Sequence, residues 1–259
     1  MIPVKNEHEL VAMRRACKIA AAARALAGEM VKPGVTTKHI DKAVHDYIVS
    51  QGAVPAELGY YGYPASTCIS VNDKVVHGIP NGYVLKDGDI VTVDLVAAWE
   101  GFHGDCCATF ACGEISADAR KLIDVTKQSF FEGLRFAKRG NRVSDISHAV
   151  QAYVESNGFS VVRAYEGHGI GRAMHEEPEV PNFGKPGRGP RLIPGMTICI
   201  EPMVNQGTYE VKVLKDGWTA VTADGKLSAH YENTVLITDG EPEILTVTEG
   251  LNYGSSEIR

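Results

Sequence analysis

The sequence predicts an α+β domain built as two similar halves, each a pair of helices followed by antiparallel strands. Its signature is a series of breaks that recur. Gly34 and Gly140 lie 106 residues apart, as do Gly52 and Gly158, and Gly88 and Gly195 lie 107 apart. His-Gly-Ile occurs once in each half, at His77 and His168. Acidic residues fall at matched places, Asp94 six residues after Gly88 and Glu201 six after Gly195. A fixed period over one order of elements marks an internal duplication. The halves span about residues 4–113 and 114–240 of a single domain, 1–259, with 251–259 expected as a short flexible tail.

Asn6, with Glu9 three residues on, reads as a capping box opening a helix through Leu10, Met13, Cys17, Ala20 and Leu26 to about Met30. Lys32-Pro33-Gly34 stops it. Thr36 or Thr37 caps a second helix carrying Ile40, Val44 and Ile48, ended at Gly52. A loop rich in Gly, Tyr and Pro (58–66) leads to a short strand near 68–71 and then to His77. After the turn signal Lys86-Asp87-Gly88-Asp89 comes a run of strand-favouring residues, 90–98. If Glu100-Gly101 is a two-residue hairpin turn, Asp94 faces Cys107 and Asp105 lies diagonal to it on the same face. In the second half Ser116 caps a helix to about Lys138, and Ser144 caps a shorter one ending at Gly158. A strand through Val161 and Val162, the segment Gly167-His168-Gly169-Ile170-Gly171, a strand 197–200 running into Glu201, and a strand 232–237 complete it.

The chain of 259 residues is 44% hydrophobic and 22% charged, which suits a globular core. A net charge of −6 gives no reason to expect a DNA partner. Six cysteines without a Cys-x-x-Cys pair fit a reducing cytoplasm rather than a disulfide framework. No apolar run reaches membrane-spanning length, and the start has no signal-like apolar segment.

Asp94 is out of place in an apolar strand, because a buried carboxylate without a partner costs several kcal/mol or more. Two carboxylates on one face repel unless they share a proton or a cation. The hairpin alone leaves open a solvated Asp105 and a locally hydrogen-bonded Asp94. Glu201, Glu232 and His168, on matched elements, shift the balance. Four carboxylates and one imidazole suit two adjacent divalent ions (Mn, Fe, Co or Zn) better than a structural zinc.

The ordered set Asp94, Asp105, His168, Glu201 and Glu232 closely resembles that of the type I methionine aminopeptidases of the pita-bread fold. So do the stretches Gly101-Phe102-His103-Gly104-Asp105 and Ile200-Glu201-Pro202-Met203, and the likeness covers about residues 4–248. The resemblance implies two antiparallel half-sheets, backed by helices, around a dinuclear metal centre. Asp94 would bind one ion and His168 the other, Asp105 and Glu232 both, and Glu201 would bind metal while carrying the proton of the attacking water. His77 matches a histidine near the scissile amide, and His175 one that steadies the tetrahedral oxygen. Tyr60, Tyr63, Cys68, His77, Met174, His175 and Trp218 would line the substrate pocket. Glu57, Met174 and Val96 depart from common choices in the family.

The activity so implied is removal of N-terminal methionine from peptides and nascent chains whose second residue is small, by water held between the metals. The same resemblance points to a cytoplasmic monomer, with the ribosome as a partner. Two modest basic clusters (Arg135, Lys138, Arg139, Arg142 and Lys185, Arg188, Arg191) offer that partner little. Xaa-Pro aminopeptidases and dipeptidases share the five ligands but usually carry a large N-terminal domain, whereas here the first helix begins near residue 7. Only 32 residues separate His168 from Glu201, which leaves no room for the insertion of type II enzymes. A non-catalytic pita-bread binding protein is the other alternative; such relatives have lost ligands, and this chain has all five.

Overall fold

Asn6 opens the first helix as its pattern predicts: its side chain accepts from the Glu9 N–H while Glu9 reaches back to the Asn6 N–H. In the structure, a computed structural model describing residues 2–247, this helix is α1, Glu7–Met30. The expected tail at 251–259 lies outside the described residues. There follow α2 (Thr37–Ser50), β1 (Val54–Pro55), β2 (Cys68–Val71), β3 (Lys74–Val76), β4 (Ile90–Trp99) and β5 (Phe102–Ala111). Next come α3 (Ala117–Leu134), α4 (Val143–Ser156), β6 (Ser160–Val161), β7 (Gly167–Gly169), β8 (Glu176–Val180) and β9 (Thr197–Ile200). The order closes with β10 (Met203–Asn205), β11 (Val211–Val213), β12 (Ala220–Thr222), β13 (Ser228–His230), β14 (Glu232–Leu236) and β15 (Glu243–Ile244).

Two helix limits differ from the sequence reading. α3 stops at Leu134 rather than near Lys138, because the N–H groups of Phe136 and Ala137 turn back three residues, to Gly133 and Leu134. Ser144 does not cap α4. Asp145 accepts from the Arg142 N–H and starts the helix at Val143, while the Ser144 hydroxyl binds the backbone of Arg188.

The duplication is repeated bond for bond. Gly34 N–H donates to Leu85 O and Leu85 N–H to Val35 O; Gly140 N–H donates to Leu192 O and Leu192 N–H to Asn141 O. Thr36 bridges Val84 ahead of α2, and Arg142 bridges Arg191 ahead of α4. Each half has its own apolar layer. Val91, Val93 and Leu95 of β4 meet Ile40, Val44 and Ile48 of α2 and the alanines of α1. Ile198, Ile200 and Val235 meet Phe130, Phe131 and Ile146 of α3 and α4. Since strand side chains alternate, Asp94 and Val96 of β4 point away from the helices.

The largest sheet runs across both halves, in the order β1-β4-β5-β14-β9-β7-β8, and a small one, β11-β12-β3, also links them by pairing Ala220 with Val76. The β4–β5 hairpin turns at Glu100 and Gly101, both with positive φ, and pairs Asp94 with Cys107 and Val96 with Asp105, the expected register. The ladder between the halves is short: Glu232 pairs with Cys107 and Asn233 with Cys106. α1 covers this junction closely; a Cβ on Gly104 would lie 2.5 Å from the Cys17 nitrogen.

Arg24 crosses the junction from α1. Buried at 4% exposure, it donates to the carbonyls of Cys107, Glu232 and Thr246 and to Asn233 Oδ1. Arg24→Met would leave these buried acceptors short of donors, at about 1–3 kcal/mol for each one stranded. We expect a loss near 3 kcal/mol, seen in calorimetry as a fall in Tm of about 6–12 °C for a chain of this size.

Candidate metal centre

Five neighbouring strand positions deliver the five predicted ligands to one face. Asp94 comes from β4, Asp105 from β5, Glu232 from the first residue of β14, Glu201 from the residue after β9, and His168 from the middle of β7. Cys107 stands opposite both Asp94 and Glu232, so the three form a row across the sheet, with Asp105 two residues away on the same face. The glycines beside His168 serve backbone packing: a Cβ at Gly167 would meet Cys199 O at 2.3 Å, and one at Gly169 would meet Glu177 O at 2.2 Å.

The electrostatics are those of acids gathered without a cation. Burial, opposed by the Leu95 backbone N–H, pushes Asp94 up to about 7. Burial raises Asp105 well above the usual carboxylate range, reinforced by Glu232 and Asp94. Glu232 is raised by burial and then by Glu201 and Asp94; Glu201 by burial and then by Asp105 and Asp94. His168 is lowered to about 3, chiefly by burial and then by His175, and is neutral at pH 7. Its Nδ1 lies 2.9 Å from the Gly169 carbonyl, an acceptor, which assigns the proton to Nδ1 and turns the Nε2 lone pair toward the acids.

The donors fit divalent ions. Among the described residues, the buried polar side-chain atoms without a partner include Asp94 Oδ1, Asp105 Oδ1, Glu201 Oε1, Glu232 Oε1 and both ring nitrogens of His230. All of these residues line one cavity. His168 Nε2 lies 3.7 Å from Asp105 Oδ2 and 3.5 Å from Glu201 Oε1, too far for hydrogen bonds. Ion–ligand bonds of 2.0–2.2 Å place two ligand atoms about 3–4 Å apart, as found here.

The cavity holds about 470 Å³, within the range of small-ligand sites. The residues expected to bind substrate all line it. Tyr63 and Trp218 meet edge to face at 5.1 Å, and the Tyr63 hydroxyl donates to the Thr67 and Gly78 carbonyls. His77, at φ 57, lies edge-on to Tyr165 at 5.4 Å and to Trp218 at 6.4 Å. His175 Nδ1 lies 2.8 Å from the Tyr60 hydroxyl, and its ring centre is 4.2 Å from that of His168. Cys68 Sγ donates to Glu57 Oε2 at 3.2 Å, so a carboxyl backs the thiol, and Met174 is buried in the wall.

The sequence reading passed over Val76, Tyr165, Glu166, Met203 and His230 as lining residues. His230 carried a legible signal: it sits two residues before Glu232, hence on the same face of an extended chain. Tyr165 and Glu166 lie outside regular strands, where spacing does not give facing.

Known proteins show the family to which this site belongs. The model of metallopeptidase family M24 matches residues 11–239. A methionine aminopeptidase of Clostridium perfringens is 57% identical over 247 residues, 95% of this chain and 99% of its own. The chain belongs to the methionine aminopeptidases of metallopeptidase family M24. The crystal structure of a methionine aminopeptidase from Thermotoga maritima matches at a TM-score of 0.94 and 44% identity, over 95% of this chain and all of that one. A prolidase from Pyrococcus furiosus matches at 0.78 and 22% identity, covering 95% of this chain and 66% of its own, which shows the shared pita-bread fold. Membership in M24 carries divalent metal binding with it, and the buried acids of this methionine aminopeptidase family member form a candidate donor cluster.

Proposed function

We propose that the protein removes N-terminal methionine from peptides and nascent chains whose second residue is small, using two divalent ions held by Asp94, Asp105, His168, Glu201 and Glu232. The observation that carries this reading is the set of buried, unpartnered acid oxygens gathered at the floor of a cavity walled by Tyr63, Cys68, Met174 and Trp218. When bound, the ions polarise the scissile carbonyl and make water acidic enough to attack near pH 7.

The protein's own groups do the rest. Aromatic walls and the Cys68 thiol accept an unbranched thioether side chain. Glu201 takes the proton of the attacking water on a carboxylate oxygen and passes it to the leaving amine. His175, accepting from the Tyr60 hydroxyl at Nδ1, presents Nε2–H as a donor to the carbonyl oxygen as it gains charge. Burial holds His77 below its ordinary value, so it meets the scissile amide as a neutral imidazole.

Among the described residues no helix is long and apolar enough to cross a membrane. We extend this reading to a cytoplasmic monomer working beside the ribosome, where chains with N-terminal methionine emerge. Basic residues add little to that last point: Arg135, Lys138 and Arg139 are ion-paired with Glu132, Glu241 and Asp239. Metal-stripped protein given Mn, Co or Fe should release Met from Met-Ala-Ser, release it slowly from Met-Leu-Ser, and leave Ala-Pro-Ser intact. Absence of Met release with every metal defeats the reading, and faster cleavage before proline transfers it to the Xaa-Pro enzymes.

A further inference from the structure

His230 is the most buried polar side chain of the cavity, at 1% exposure, and neither ring nitrogen has a hydrogen-bond partner. A stranded buried donor or acceptor costs about 1–3 kcal/mol, and a neutral imidazole carries one of each. Such a cost is rarely left standing where a group has no task. The backbone around it is, by contrast, fully engaged. The His230 N–H donates to Thr109 Oγ1, its carbonyl accepts from the same hydroxyl, and β13 pairs it with Met203 of β10. The ring is therefore held in place while its nitrogens stay open.

Three groups face those nitrogens. Glu201 Oε2 lies 3.8 Å from Nε2, beyond hydrogen-bond reach. Asp94 and Cys107, each with one ligand atom, lie within 4.8 Å of a ring nitrogen and of one another. Asp94 Oδ1 is itself unpartnered, and the Cys107 thiol makes only a 3.9 Å contact, to the His230 carbonyl.

We propose that His230, together with the Cys107 thiol, extends the donor set of the ion held by Asp94. That ion then has nitrogen and sulfur donors beside oxygen; at the opposite end Cys199 stands with Asp105, His168 and Glu232, their donor atoms all within 4.8 Å of one another. On binding, the thiol proton leaves to solvent and the sulfur's electron pair goes to the ion; no oxidation is involved. Borderline ions such as Zn(II) and Co(II) favour nitrogen and sulfur, and Mn(II) favours carboxylates, so loss of either group weakens borderline ions at the Asp94 site more than Mn(II).

The inference rests on the metal-centre reading above, and calorimetric titration of metal-stripped protein separates the two. Wild type should bind Zn(II) and Mn(II). His230→Gln should lose Zn(II) affinity at one site by about tenfold to a hundredfold, the range seen when groups supporting a site are removed, with little change for Mn(II). Cys107→Ser should abolish a near-ultraviolet thiolate-to-Co(II) band. Wild type needs no variant to fold: loaded with Co(II), it should show hyperfine-shifted exchangeable ring protons from two histidines, His168 and His230. Zn(II) isotherms of His230→Gln that superimpose on wild type, or shifted protons from one histidine alone, overturn the inference and leave the metal centre intact. Wild type that takes up no divalent ion brings down both.

Discussion

Glu201→Gln should retain much of the metal yet release methionine about 10²–10⁴ times more slowly, the usual contribution of a positioned proton carrier. Glutamine keeps the length of the side chain and one carbonyl oxygen as a donor, but cannot accept and return a proton at neutral pH. The site keeps its shape, because Glu201 is fixed through its backbone: Asn182 Nδ2 donates to its carbonyl, and Pro202 follows. Glu201 is only 9% exposed, and its unpartnered Oε1 lies 3.5 Å from His168 Nε2. The test pairs two measurements: initial rates on Met-Ala-Ser with Mn, and bound metal per chain by atomic emission. A rate within a few-fold of wild type would remove the proton-carrier role. Complete loss of metal would make Glu201 a ligand first.

The halves were legible because their boundaries are set by local chemistry. Gly34 and Gly140 sit at matching places, with positive φ, in the turns that lead into α2 and α4, and the sequence shows them as breaks at one period. The hairpin register was legible too, since a two-residue turn and the alternation of strand side chains together fix which residues face each other. Pairing between the halves was not. Nothing local says that β5 meets β14, a junction made through two residue pairs and through Arg24 on α1. Arg24 looks in the sequence like a solvated helix residue. It is buried because its donors answer carbonyls brought there by strands distant in sequence. His230 is a related case, its facing readable from Glu232 but its open nitrogens visible only in three dimensions.

The metal-free centre should destabilise the protein, so that ions and a single neutralising substitution each stabilise it by different routes. Mn(II) at about a hundredfold over its Kd adds near 2.7 kcal/mol to a native state that alone binds it. For this chain length that corresponds to a rise in Tm of about 5–10 °C. Asp105→Asn acts without metal. Asp105 is 5% exposed, has an unpartnered Oδ1, and is raised first by burial and then by Glu232 and Asp94. Asparagine cannot ionise, so the cost of an acid buried among acids is gone, and it offers an N–H₂ to its neighbours. Metal-stripped Asp105→Asn should therefore melt higher than metal-stripped wild type, by an amount on the order of 1 kcal/mol, as when function is given up for stability. The same change should abolish most of the Mn-dependent increment and the release of methionine, because one of the central donors no longer carries charge. Differential scanning calorimetry of both proteins, with and without Mn(II), gives the four melting temperatures needed. Equal increments in the two proteins would show that Asp105 holds no ion. A metal-free variant less stable than wild type would show that the acids are satisfied among themselves, through shared protons, and are not waiting for a cation.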